Sequence, residues 1–271
     1  MRVADALAVT ESGTPGAPAV VLLHGVGAGA WMWWGAEPGL ADLHVLAVDL
    51  PGHGASAAVP WRSLAATADS VAAVVAERAA GGRAHVVGLS LGGYVALELL
   101  RRHPAAVVRA AVSGVTARPM PGRSFAGLQG RLLPALARRP GPAMRLARTT
   151  LPDGPPEAWA RIVASLRVMS PEAYLAAVRD VAPWRLPDDL AGCAAPLLVA
   201  AGSRESAVIR ETVVEIPRVV PAARGLLVPG AVHAWPVHAP HLFTHVVRDW
   251  LCSPTPRVAD LARRGGPTVH A

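Results

Sequence analysis

Apolar runs of four to seven residues recur along the chain, separated by segments long enough for a helix, with Gly, Pro or Asp at many of the changeovers. Unbroken apolar runs are the mark of strands covered on both faces, so a largely parallel sheet with helices on either side is predicted. The predicted strands are Leu7 to Thr10, Val20 to His24, His44 to Asp49, His85 to Leu89, Val107 to Ser113, Pro196 to Ala201 and Gly225 to Val228. The predicted helices lie near Trp33 to Ala41, Thr67 to Ala80, Leu91 to Arg102, Val208 to Val220 and Pro240 to Leu251. Between Thr116 and Ala191 the alternation stops. Pro-broken amphipathic pieces replace it, with Phe125, Leu128, Leu132 and Leu136 at helical spacing, and they predict short helices inserted before the penultimate strand. The expected fold class is α/β, a mostly parallel sheet flanked by helices with a helical lid insertion. Its core is 1–115 and 192–252, its lid 116–191, and 253–271, rich in Pro, Gly and Arg, is a loosely attached tail.

Composition narrows the chemistry. All 26 basic residues are Arg, with no Lys and no Asn in the 271 residues, which removes Schiff-base and P-loop lysine chemistry. Two cysteines, Cys193 and Cys252, are too few for a zinc finger or a disulfide framework, so a reducing, cytoplasmic setting is expected. Met1 to Pro18 lacks the pattern of a signal peptide, and Gly, Pro or Arg interrupts every apolar stretch before it reaches the length of a membrane span. The net charge of +7 raises nucleic acid as a partner, yet no helix-turn-helix, RNA-binding aromatic signature or zinc module accompanies it. No nucleic acid and no membrane span are expected, and the assembly is read as a monomer or homodimer.

The clearest chemical signal follows the strand His85 to Leu89. There Gly88-Leu89-Ser90-Leu91-Gly92-Gly93 runs into a helix opening at Tyr94, which is G-x-S-x-G in a strand, turn, helix setting. A nucleophile on so tight a turn needs small residues two before and two after it, and Gly88 and Gly92 supply them. The turn places Ser90 at a helix N-terminus, where the Leu91 N–H can hold an oxyanion.

With this elbow on the page, the chain resembles the α/β-hydrolase superfamily from about Leu7 to Leu251, as a lidded esterase, lactonase or thioesterase. Other motifs agree: His24-Gly25-Val26-Gly27 followed by Trp31 is similar to the family's oxyanion loop, and Asp49-Leu50-Pro51-Gly52-His53-Gly54 to its D-x-P-G-H-G turn. The resemblance implies Val26 N–H as the second oxyanion donor and structural roles for His24, Asp49 and His53. A serine nucleophile needs a positioned base. Of the ten histidines, His233 lies after the last strand and before the last helix, where the family keeps its base. The acid expected from the resemblance is Glu205, in Gly202-Ser203-Arg204-Glu205, where the family more often has Asp; Glu211 and Asp249 are the weaker candidates. His238, His241 and His245 share a helix face but lack a completing ligand, so no metal and no cofactor are expected. His44, His85, His103 and His270 read as surface residues.

From Arg118 to Thr150 the chain carries seven arginines and no carboxylate. Arginine forks bind carboxylate and phosphate, so the substrate is expected to be a small acyl compound, anionic or carrier-linked, met by Arg118 and Arg123; solvated helix faces are the plainer explanation. Trp31, Trp159, Met169 and Trp235 are expected to line the substrate pocket, with Leu166 and Trp184 among the lid's apolar faces. Two alternatives remain open. The same fold and triad serve non-hydrolytic chemistry or ligand binding in some proteins. Gly25 to Ala30 also fits G-x-G-x-x-A with Asp49 some 20 residues on, as an NAD-dependent oxidoreductase would have it, although Trp31, Trp33 and Trp34 crowd such a turn.

Overall fold

The computed structural model describes residues 7–120, 139–151 and 154–257. Arg123, the helix predicted around Phe125 to Leu136, and 258–271 of the predicted tail with His270 lie outside the described residues. Seven strands form one sheet: β1 (Val9–Gly13), β2 (Ala19–Leu23), β3 (His44–Val48), β4 (Ala84–Leu89), β5 (Val107–Ser113), β6 (Leu197–Gly202) and β7 (Ala223–Val228). Their spatial order is β1-β3-β2-β4-β5-β6-β7, with β1 antiparallel to β3 and every other pair parallel. The order reverses between β2 and β4. Open parallel sheets bind their ligands outside the carboxyl ends of the strands at such a switch point, which here faces the segments starting at His24 and Ser90.

The apolar runs behave as their composition requires. Every residue of β2, β3 and β4 is buried, whereas β1, an edge strand of sequence Val-Thr-Glu-Ser-Gly, is not. In β2, Val21 and Leu23 join a core layer with Val71 of α1 (Leu64–Arg78) and Val95 and Leu99 of α2 (Leu91–Arg102). Val20 and Leu22 face the opposite layer, which holds Phe243, Val247 and Trp250.

Among the described residues three α-helices lie between β5 and β6: α3 (Pro140–Thr150), α4 (Pro156–Val168) and α5 (Pro171–Val181). Each opens on a proline, whose fixed φ suits a first turn and whose missing N–H is no loss there. The insertion is tied to the core by named bonds. Trp31 Nε1 donates to Ser165 Oγ at 2.6 Å, Ser170 N–H to Gly52 O at 3.0 Å, and Trp61 Nε1 and Leu64 N–H both to Asp180 Oδ2. The chain then runs through α6 (Ala207–Val219), the single turn α7 (Trp235–His238) and α8 (Pro240–Cys252).

Two expectations are corrected. The helix predicted over Trp33 to Ala41 is two separate 3-10 turns, Ala30–Trp33 and Glu37–Leu40, because Gly35 and Pro38 interrupt any longer ladder. His44 and His85 are buried: both sit near the starts of central strands, and His44 Nε2 meets Glu11 Oε2 at 2.8 Å. The start of the predicted tail is anchored, since Arg109 on β5 donates to the Ser253 carbonyl. No helix among the described residues is long and apolar enough to cross a membrane.

Candidate active site

β4 delivers Ser90 into α2 on a turn with φ 53° and ψ −115°, the one positive φ of a non-glycine among the described residues. Such a conformation costs on the order of 1–3 kcal/mol and persists only when its surroundings over-determine it. The constraints are visible. Ser90 N–H donates to Ser113 O at 2.8 Å and Gly92 N–H to His24 O at 3.0 Å. A Cβ on Gly88 would stand 2.2 Å from Gly92 O, and one on Gly92 would stand 2.0 Å from Leu23 O. Leu91 is the first residue of α2, so its amide has no carbonyl one turn back within the helix.

The loop after β2 is built on its neighbour. Asp49, just past β3, accepts the Ala30 N–H through Oδ1 at 2.7 Å and the Ala55 N–H through Oδ2 at 2.9 Å. His24 Nδ1 lies 2.8 Å from Gly25 O and its Nε2 accepts the Leu50 N–H, which fixes the proton on Nδ1 and leaves the ring neutral. Burial lowers the His24 pKa to about 4 and that of His53, whose ring centroid is 5.2 Å away, to about 3, with the His24 neighbour adding to burial. The 4.0 Å approach of His24 to Asp49 is therefore no ion pair. Asp49 is buried with each oxygen bound to a backbone amide of an adjacent turn, so it ties the two loops together rather than facing a ribose, as the dinucleotide alternative would have it.

After β6, the chain turns so that Glu205 N–H reaches Gly202 O and the Glu205 side chain folds back, Oε2 accepting the Gly202 N–H at 2.7 Å. Oε1 then meets His233 Nδ1 at 2.5 Å. The carboxylate is buried while the imidazole is 45% exposed, so the ring is held from behind with its Nε2 side open. Glu211 and Asp249 are not bonded to His233; Glu211 pairs with Arg118 instead.

Ser90 and His233 line one cavity of about 270 Å³, to which the core contributes Val26, Trp31 and Leu89 and the insertion Leu146, Ile162, Leu166 and Tyr174. The expected pocket residues divide. Trp31 lines the cavity. Met169 is buried in the packing of the insertion, and Trp159 donates to Leu151 O beneath the Arg148 guanidinium. Trp235 is buried in the core, donating to Ser113 Oγ at 2.9 Å with its ring edge-on to Phe243, so it braces the His233 loop rather than touching a ligand. Arg118 does not line the cavity: it lies between Glu211 and Glu215, which neutralise it.

Two contributors carry weaker sequence signals. Gly114, after β5 with φ 69°, is needed because a Cβ there would stand 2.6 Å from His233 Cε1; its signal was only a glycine ending a strand. Ser113 joins the elbow to the Trp235 turn through its carbonyl and its hydroxyl, which nothing local announces.

A family model described as the alpha/beta hydrolase family matches residues 20–246. An AB hydrolase superfamily protein of Gibberella zeae is 38% identical over 106 residues, 38% of either chain. A pimeloyl-[acyl-carrier protein] methyl ester esterase of Methylococcus capsulatus is 44% identical over 91 residues, 33% of this chain and 34% of that one. The matched segment thus spans little more than a third of these curated relatives. A malate-bound thermophilic esterase from Thermogutta terrifontis has a similar structure, with TM-score 0.74 and 27% identity over 90% of this chain and 92% of that one.

Proposed function

The chain belongs to the alpha/beta hydrolase family, and on that premise we propose that it is a serine hydrolase cleaving an uncharged carboxylic ester, lactone or thioester through an acyl-Ser90 intermediate. The observation that carries the proposal is a strained serine at a helix N-terminus sharing a cavity with a histidine held by a buried carboxylate. Ser90 Oγ attacks the substrate carbonyl while His233 Nε2 takes its proton, and Glu205 holds the Nδ1–H and stabilises the imidazolium. The carbonyl oxygen, now negative, is held by the Val26 and Leu91 amides. Collapse expels the alcohol or thiol, which receives the proton from His233; water, activated by the same imidazole, then frees the acid and restores Ser90.

The lining favours an apolar substrate, because the side chains around Ser90 are Val, Leu, Ile, Met and aromatic. At about 270 Å³ the cavity stands at the small end of ligand pockets, roughly 300–1,000 Å³, which suits a compact acyl group better than a long chain. Esterase activity of the relatives named above agrees with this proposal. A carrier-linked acyl group is a second reading, favoured by Arg148 and Arg161, whose guanidiniums lie over Trp159 and Trp34 and are open to an anionic carrier outside the cavity. The inserted helices act as the cap that excludes water. A panel of p-nitrophenyl esters and matched thioesters of graded chain length tests the proposal. Turnover peaking at short to medium neutral acyl groups is expected; no turnover anywhere in the panel contradicts it. Steep salt dependence confined to carrier-linked substrates is the outcome that selects the second reading.

A further inference from the structure

The chain has two tyrosines, and their hydroxyls differ in what surrounds them. Tyr94 OH lies 3.0 Å from Thr116 Oγ1 and accepts the Thr116 N–H at 2.9 Å. Tyr174, in the first turn of α5, lines the active-site cavity, and its hydroxyl has no hydrogen-bond partner among the described residues. Burial pushes its pKa up with no bonded neighbour to offset it. Every other polar side chain of the cavity is committed: Trp31 Nε1 to Ser165, His233 to Glu205, and Ser90 to the reaction.

Tyr174 is also held in place. Ser170 caps α5 by accepting the Ala173 N–H, and its own N–H binds Gly52 O in the core. Ala173 packs so closely that a Cβ on Gly52 would stand 2.1 Å from its own, and Tyr174 N–H donates to Ser170 O. Tyr174 is half-buried in the wall of an otherwise apolar cavity, so its hydroxyl is left to bond whatever the cavity holds, water or a ligand oxygen.

We propose that Tyr174 sets the substrate preference of the site by hydrogen-bonding an oxygen function carried on the acyl group, apart from the scissile carbonyl. The preferred substrate class is then an ester of a short oxo- or hydroxy-acid rather than of a plain fatty acid, since a site built to bond an oxygen discriminates against analogues lacking it. The assignment rests on the ester-hydrolase proposal above.

The experiment compares p-nitrophenyl hexanoate with its 4-oxo and 5-oxo derivatives, in the wild type and in Tyr174→Phe. The wild type should favour one oxo ester in kcat/KM by about tenfold or more. Tyr174→Phe should abolish that preference, the favoured oxo ester losing at least about fivefold more in kcat/KM than hexanoate. No oxo preference in the wild type, or an equal loss on both esters in Tyr174→Phe, overturns the assignment. The matching hexanamides, titrated by tryptophan fluorescence through Trp31 in the cavity wall, read the same preference without turnover. An oxo preference in that binding which Tyr174→Phe removes, with no ester hydrolysed, upholds Tyr174 and overturns the hydrolase proposal; no oxo preference in binding overturns Tyr174 alone.

Discussion

The two walls of the cavity are built by different rules. The core wall is defined by hydrogen bonds: Asp49 spans two loops with its two oxygens, Ser113 joins the Ser90 elbow to the Trp235 turn, and Glu205 bridges Gly202 and His233. The insertion wall presents the apolar side chains of Leu146, Ile162 and Leu166, which offer shape, and one hydroxyl, Tyr174. Reactive atoms need fixed geometry, and the ends of buried parallel strands supply it. Selection among substrates needs only a contour and a single polar contact, which helices packed over the crevice can supply and vary.

The largest expected effect lies on the core wall. Ser90→Ala and His233→Ala should each lower kcat by roughly 10⁴-fold or more, with thermal stability retained. Leu166→Ala, on the other wall, should shift the preferred acyl length and raise KM while leaving kcat for the best ester within about tenfold. If Leu166→Ala matched the loss in Ser90→Ala, the division between the walls would be wrong. Glu205→Gln comes next, with a loss on the order of 10² to 10⁴ in kcat because the charge behind the imidazolium is gone. Glu211→Gln is its control and should change little, since Glu211 faces Arg118. Steady-state kinetics on equally folded variants decides between them.

Acid separates the walls in a third way. His24, His53 and His85 have pKa values lowered to about 4, 3 and 4, chiefly by burial, and 116–191 contains no histidine. Unfolding releases these rings to an ordinary pKa of about 6.5. Below that value the unfolded chain binds protons that the native chain refuses, so stability is complete above about pH 6.5 and falls progressively toward pH 4. A thermal midpoint that drops steadily between pH 7 and 5 is expected, with part of the slope removed in His85→Gln; a flat profile contradicts the burial of neutral histidines. The smallest effect belongs to Arg118→Ala, which should leave KM for a neutral ester within about twofold, as expected of an exposed ion pair.

The core wall was largely legible in the sequence because its signals are local. Gly88 and Gly92 flank Ser90 within one turn, β2 is an unbroken apolar run and β4 one interrupted only by His85 near its start, and Glu205 follows β6 by three residues. Seven strands fall within a few residues of their predicted positions. The insertion was not legible at the level of side chains. Trp159 and Met169 carry the composition of a pocket, as does Trp235 of the core, but which side chain meets the cavity depends on packing between distant segments. Arg118 read as an anion receptor because 118–150 holds no carboxylate; its partners, Glu211 and Glu215, come from α6, some ninety residues away. Tyr174 gave no signal, since one tyrosine in an amphipathic helix is indistinguishable from core.

The central claim, that Ser90 is a nucleophile activated by His233, is tested most directly by labelling with a fluorophosphonate and locating the adduct by peptide mass spectrometry. One equivalent on Ser90 is expected, absent in Ser90→Ala and formed far more slowly in His233→Ala. An adduct on another residue, or labelling of Ser90 at an unchanged rate in His233→Ala, would contradict it.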